Sequence, residues 1–152
     1  MKKTILITGI SGFVGSHLAK DAVQAGYTVR GLVRPTSNTS VFSLPEDRII
    51  RGDLTDPDSL KPAVEGVDAV VHCAATTSEM RSSLEESTRV NVKGTEHLLT
   101  LCKTHGVDDF VYISSQSAKP GNPSVYGRTK LEGEERTKHS GLNYRILRPN
   151  VI

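Results

Sequence analysis

A chain of 152 residues is long enough for one domain with a proper core and too short for two ordinary ones. Its 19 Lys and Arg against 17 Asp and Glu give a formal charge of +2, interspersed along the chain, which argues against nucleic acid or an anionic membrane as the main partner. No apolar stretch reaches the length of a membrane span, and Cys73 and Cys102 lack a second Cys or His at ligand spacing, so no metal site is expected and a reduced, cytosolic setting is.

The opening Met1-Lys2-Lys3-Thr4-Ile5-Leu6-Ile7 has the outline of a secretory leader, yet Gly9, Ser11 and Gly12 interrupt its apolar run and no small-residue cleavage site follows. Thr4–Ile7 is therefore read as a buried first strand. A helix over Phe13–Ala25, ended by Gly26, leads to a second strand at Tyr27–Val33. Residues 34–40 are loop by composition, and Arg48–Arg51 is a short third strand. Asp56-Pro57 opens the next helix as cap and first helical residue, and Val67–Cys73 is the fourth strand. A long helix from Leu84 to Thr104 stops before Gly106. Phe110–Ile113, a helix over Val125–Lys138 and a strand at Tyr144–Leu147 complete the pattern. This alternation defines an α/β domain with a doubly wound parallel sheet, and right-handed crossovers predict the strand order 3-2-1-4-5-6.

The segment Thr8-Gly9-Ile10-Ser11-Gly12-Phe13-Val14-Gly15 lies between the first strand and the first helix, the context a dinucleotide-binding turn requires. Gly9 would permit the tight turn, Gly12 would let backbone approach a pyrophosphate, and Gly15 would let helix and strand pack closely. The amides from Ser11 through Phe13 and Val14, at the positive end of the helix, would face the phosphates. The bland alternative is a strand-to-helix turn that uses glycines only for positive φ, and three of them at three-residue spacing weigh against it.

The end of the second strand discriminates NAD from NADP, because a carboxylate there bonds the ribose 2′-hydroxyl and repels a 2′-phosphate. Here the strand ends Val29-Arg30-Gly31-Leu32-Val33-Arg34 with no carboxylate. Arg34 offers a fork of donors to a phosphate, with Ser37 and Arg30 as helpers, although a solvated surface arginine explains it almost as well. NADP is thus favoured, with NAD left open. Asp53 and Leu54, after the third strand, would border an adenine, and Asp53 is equally well a turn residue.

Tyr126 and Lys130 stand four residues apart on one helical face. A phenol with a pKa of about 10 carries protons poorly near neutrality unless a positive charge favours the phenolate, and Lys130 would supply that charge. Ser115, with Ser114 and Ser117 behind it, ends the fifth strand at the sheet edge where ligands bind, so its hydroxyl could bond a substrate oxygen. By itself the Tyr–Lys pair reads as a plain surface helix, and the glycine turn and serine pair make that account the weaker one. His72, at the end of the fourth strand, is read as structural.

Together with Gly52-Asp53-Leu54, Val71-His72-Cys73-Ala74-Ala75, Asn91-Val92-Lys93-Gly94-Thr95, Ile113-Ser114-Ser115 and Leu147-Arg148-Pro149, these motifs carry a family likeness. The chain resembles the extended short-chain dehydrogenase/reductases with a Rossmann-like fold, in particular the NAD(P)-dependent epimerase/dehydratase group that includes nucleotide-sugar epimerases and dihydroflavonol-type reductases. The resemblance implies that Tyr126 is the acid/base, Lys130 its partner and Ser115 the hydroxyl that polarises the substrate. It implies further that Ala74 and Ala75 line the cofactor near its ribose, and that Asn91 orders the site from within its helix. Arg34 matches an arginine of the NADP-using reductases.

Two departures bear on function. Ten residues separate Ser115 from Tyr126, fewer than in many sugar-modifying members, and the sequence stops at Arg148-Pro149-Asn150-Val151-Ile152, where members continue into a substrate-gripping domain. Residues 1–152 are therefore read as an NAD(P)-binding domain alone, with the carboxyl-terminal substrate domain absent. Two functions stay open: an oxidoreductase or epimerase-type domain acting on a small hydroxyl or carbonyl compound, and a dinucleotide-binding module with little or no turnover. A homodimer pairing helices 84–104 and 125–138 is a further expectation from the resemblance.

Overall fold

The structure is a computed structural model and describes residues 1–77 and 83–150; Val151 and Ile152 of the closing motif lie outside the described residues. The strands are β1 (Thr4–Thr8), β2 (Thr28–Val33), β3 (Ile49–Arg51), β4 (Ala69–His72), β5 (Asp109–Ile113) and β6 (Asn143–Leu147). They pair in parallel in the order β3-β2-β1-β4-β5-β6, as the crossover rule predicts. The helices are α1 (Phe13–Gln24), α2 (Pro57–Val64), α3 (Leu84–Thr88), α4 (Gly94–Thr104) and α5 (Val125–Lys138).

Strands covered on both faces read as near-continuous apolar runs, and this sheet shows why. Successive residues of β1 and β4 point to opposite layers: Leu6 and Val70 pack with Leu60, Leu98 and Phe110, while Ile7 packs with Val29, Val33 and Ala19. The first layer is built by α2 and α4, the second by α1. Caps set the helix starts. The Asp56 side chain accepts the Asp58 N–H at 3.2 Å ahead of Pro57, as its sequence signature predicts, and Ser124 accepts the Gly127 N–H at 2.9 Å to open α5.

One element differs from the sequence expectation. The helix read as continuous from Leu84 to Thr104 divides into α3 and α4 around a π-helical stretch at Arg89–Lys93. Such stretches carry one extra residue in a turn and gather at functional sites. Local bonds account for this one: the buried Asn91 side chain reaches out of the helix to the Thr76 backbone, accepting its N–H at 2.8 Å and donating to its carbonyl at 3.1 Å. The freed Asn91 carbonyl accepts the Thr95 hydroxyl at 2.7 Å.

His72 is structural, as its position implied. Thr8 and His72 face each other across β1 and β4. The Thr8 hydroxyl accepts the Cys73 and Ala74 N–H groups at 3.1 and 3.2 Å, so its proton goes to His72 Nδ1 at 2.6 Å. The ring then donates from Nε2 to the Thr95 hydroxyl at 2.9 Å, the tautomer this chain of bonds requires. Complete burial pushes the imidazole down to about 3, with the Lys130 charge adding to the effect.

A group neutral when folded and protonated when unfolded lowers stability as pH falls below its unfolded value. His72 should therefore cost about 1.4 kcal/mol per pH unit below about 6.5, down to about 3. In urea unfolding at pH 7, 6 and 5, the stability gap between wild type and His72→Gln should close by that amount per unit below 6.5. A pH-independent gap would mean that the folded ring takes up a proton.

Candidate active site

The carboxyl ends of β1 to β5 open onto one cleft of about 1020 Å³. Gly9, Ser11, Gly12, Phe13, Val14, Gly15, Arg34, Asp53, Leu54, Ala74, Ala75, Ser115, Tyr126 and Lys130 all line it. The fold thus brings every singled-out site residue to one place, through the ends of parallel strands and the helices that follow them.

At the glycine turn, Gly9 has φ +66°, and a Cβ there would lie 2.7 Å from the Ala74 nitrogen. A Cβ on Gly15 would run into the Gly9 carbonyl. No side chain caps α1 and no acidic residue sits in its first turn, so its opening amides are free of a protein anion. A helix N-terminus with free amides, reached through backbone too close for side chains, fits a pyrophosphate.

Arg34 is exposed in the cleft, with its N–H donated to Ser37 Oγ at 3.2 Å. Arg30, expected beside it as a helper, is elsewhere. Its Nη1 donates to the carbonyls of Pro62, Ala63 and Glu65 at 3.1, 3.0 and 2.6 Å, closing the carboxyl end of α2, because strand alternation turns it toward that helix. Asp53 lines the cleft and is also a turn residue. Its Oδ1 accepts the Thr55 N–H at 2.8 Å and the Thr55 hydroxyl at 2.7 Å, which hold its carboxyl below the usual range.

At the other end, the three serines part ways. Ser115 lines the cleft with Tyr126 and shares a hydrogen bond with Ser117 Oγ at 2.7 Å, whereas Ser114 donates to Glu134 Oε1 at 2.6 Å. Lys130 is only 2% exposed. Its Nζ donates to the Ile113 carbonyl at 2.6 Å and lies 4.3 Å from the Tyr112 ring centre. Burial pushes its ammonium down to about 8, against the attraction of Cys73 and Glu134.

The expected electrostatic help to Tyr126 takes a different form. Burial raises the phenol and the neighbouring Ser115 hydroxyl offsets part of that, while Lys130 gives one of its three donors to the Ile113 carbonyl. Tyr126 is thus held in its acid form near neutrality. Cys73 also borders the cleft, with its thiol pushed up to about 11 by burial.

Glu134 was missed by the motif reading. It lies one turn beyond Lys130 on the same face of α5, and that i+4 spacing was the available signal. Its 1% exposed side chain binds Arg148 by two bonds, from Nε at 2.7 Å and from Nη2 at 2.6 Å. With Ser114 and Arg148 bound to one carboxylate, the ends of β5 and β6 are tied to α5.

A doubly wound α/β domain with a glycine turn after its first strand, Ser115 after its fifth, and Tyr126 and Lys130 on the helix that follows is the class that this fold and site define. The chain belongs to the NAD dependent epimerase/dehydratase family, whose model matches residues 5–151. It is 36% identical over 132 residues to a 3 beta-hydroxysteroid dehydrogenase/Delta 5-->4-isomerase of Mycobacterium tuberculosis, covering 81% of this chain and 34% of that protein. A short-chain dehydrogenase/reductase superfamily protein of Agrobacterium tumefaciens, solved with bound NAD, matches with TM-score 0.80 and 32% identity over 95% of this chain and 48% of that one. A Thermus thermophilus UDP-glucose 4-epimerase in complex with NAD matches with TM-score 0.81 and 26% identity over 95% of this chain and 54% of that one. The chain therefore spans about a third to a half of the relatives it matches. Among the described residues no helix is long and apolar enough to cross a membrane.

Removing Arg148 would strand a buried carboxylate. Arg148→Met should cost about 2 kcal/mol at pH 7, below the range for fully enclosed pairs because the arginine is 41% exposed. Glu134 is held below its ordinary 4.5, so the pair's contribution is complete above that value and disappears as pH falls through the lowered one. Denaturant unfolding should show the penalty shrinking in acid; an equal loss at pH 7 and pH 3 would refute the pairing as its cause.

Proposed function

We propose that this chain binds a nicotinamide dinucleotide, NADP(H) in preference to NAD(H), and supplies the proton-transfer groups for an oxidoreductase or epimerase-type reaction at a hydroxyl or carbonyl carbon. Nucleotide sugars are one substrate class compatible with the family. One observation carries the reading: a single cleft holds both the glycine turn with its free helix end and Ser115 with Tyr126 beside a buried lysine.

When bound, the nicotinamide would accept or donate a hydride at its C4. The amides that open α1 hold the pyrophosphate, and Ala74 and Ala75 wall the adjoining ribose. Asp53 and Leu54 border the adenine. At the reacting end, Ser115 donates a hydrogen bond to the substrate oxygen, and Tyr126 passes that oxygen its proton or takes one from it. A phenol raised above its ordinary value stays protonated at neutrality, so the proton-donating direction, reduction of a carbonyl, suits it best. Lys130 contributes positive charge and ribose-directed donors only while protonated. Pairing of two copies through Leu84–Thr104 and Val125–Lys138 belongs to the same reading, and sedimentation velocity checks it.

The chain spans about a third to a half of the relatives it matches, and a second reading is that these residues bind the dinucleotide with little turnover by themselves.

Turnover of NADPH with a panel of sugars, ketones and aldehydes separates the two. Tyr126→Phe should lower turnover by about a hundredfold or more while leaving the cofactor Kd unchanged. Tight binding with no turnover in wild type would favour the binding module, and full turnover in the variant would remove Tyr126 from its role. The wild-type rate should also decline above about pH 8, as Lys130 loses its proton.

A further inference from the structure

The order of the strands assigns the two ends of the cleft. The glycine turn follows β1, and Ser115 follows β5, on the side of β4. A dinucleotide with its pyrophosphate at the turn and its nicotinamide toward Ser115 must extend its adenine half over the ends of β2 and β3. Arg34 follows β2 there, and Asp53 follows β3.

Four arginines lie near that end, and they divide cleanly. Arg30 is spent on the α2 carbonyls, and Arg51 donates to the Pro35 carbonyl at 3.4 Å; neither lines the cleft. Arg34 and Arg89 do line it. Among the described residues neither guanidinium has a hydrogen-bonded or ion-paired partner. Arg89 is the first residue of the π-helical stretch, so it reaches the cleft from the helical layer, whereas Arg34 reaches it from the sheet. Both line the same cleft as Asp53, and both lower its carboxyl by their charge.

The ionised Asp53 carboxylate offsets one of the two charges at most and forms an ion pair with neither arginine among the described residues, its Oδ1 being held by two bonds from Thr55. Glu86, one turn before Arg89 on the same cleft wall, forms no ion pair with it among the described residues. Two guanidinium groups without hydrogen-bonded or ion-paired partners among the described residues, one following β2 and one on the helical segment, line the cleft and can form an anion site of the kind that arginine forks favour.

We propose that Arg89 and Arg34 form a clamp for the 2′-phosphate of NADP(H), and that Arg89 is a determinant of cofactor choice. This rests on the dinucleotide reading given above. The clamp touches only the phosphate that distinguishes the two cofactors, so its loss should leave NAD binding intact.

Calorimetric titration of the full chain with NADP⁺, NAD⁺ and adenosine 2′,5′-bisphosphate tests it. Arg89→Ala and Arg34→Ala should each lower the NADP/NAD affinity ratio about tenfold, with the bisphosphate following NADP and the NAD affinity within about twofold of wild type. Raising salt should narrow the wild-type ratio, because both cations are open to solvent. Arg89 is exposed, and melting curves should show Arg89→Ala as stable as wild type. An equal loss for both dinucleotides would overturn the clamp and make Arg89 an adenine contact, and an unchanged ratio would overturn it outright. Should neither dinucleotide bind wild type, the underlying reading fails first, a result distinct from either.

Discussion

Everything at the carboxyl edge of this sheet depends on how closely backbone meets backbone at Gly9. Its Cα lies where any side chain would strike the Ala74 amide, and its carbonyl lies where a side chain on Gly15 would have to go. Strand β1, strand β4 and helix α1 therefore converge on a point with room for main chain alone. That convergence leaves the opening amides of α1 uncovered, and they can serve an anion because no protein group has claimed them. Thr8, the preceding residue, secures the arrangement by accepting two amides of the β4 end and passing its own proton to His72.

From that point a chain of neutral hydrogen bonds runs through the interior to the reacting end. His72 hands on to Thr95, Thr95 to the Asn91 carbonyl, and the Asn91 amide donates to the Thr129 hydroxyl at 3.0 Å, next to Lys130 on α5. Each ring nitrogen of His72 has one hydroxyl partner, which fixes its tautomer, and burial keeps the ring uncharged. A buried network satisfied throughout is rigid, and this one couples the phosphate turn to the helix that bears Tyr126. The π-helical stretch belongs to it, since the bonds of Asn91 and Thr95 displace the ordinary helical ladder there.

Charge at the reacting end is set by a contest between burial and pairing. Burial wins at Lys130, whose ammonium is lowered despite Glu134 and Cys73, and at Tyr126, whose phenol is raised despite Ser115. Pairing wins at Glu134, where Arg148 and Ser114 hold the carboxylate ionised inside the fold. The result is a protonated phenol beside a cation that titrates near physiological pH, with one firmly ionised carboxylate behind them. Family membership is consistent with such a set, and the proposed proton transfer uses groups in these states.

The residues alone determined the sheet order, the helix caps at Asp56, the glycine turn and the set of side chains that gather in the cleft. Those features follow from local rules: periodicity, turn chemistry and the handedness of crossovers act within a few residues and need no knowledge of distant packing. Tertiary structure decided what depends on neighbours remote in sequence. Arg30 lies on β2 and Arg34 just after it, yet only the placement of α2 shows that Arg30 is consumed there and Arg34 is not. The division of the Leu84–Thr104 helix rests on Thr76 meeting Asn91, and the role of Glu134 rests on Arg148 arriving from β6. Whether a charge is held, lost or left without a partner is a property of its surroundings, and those exist only once the chain has folded.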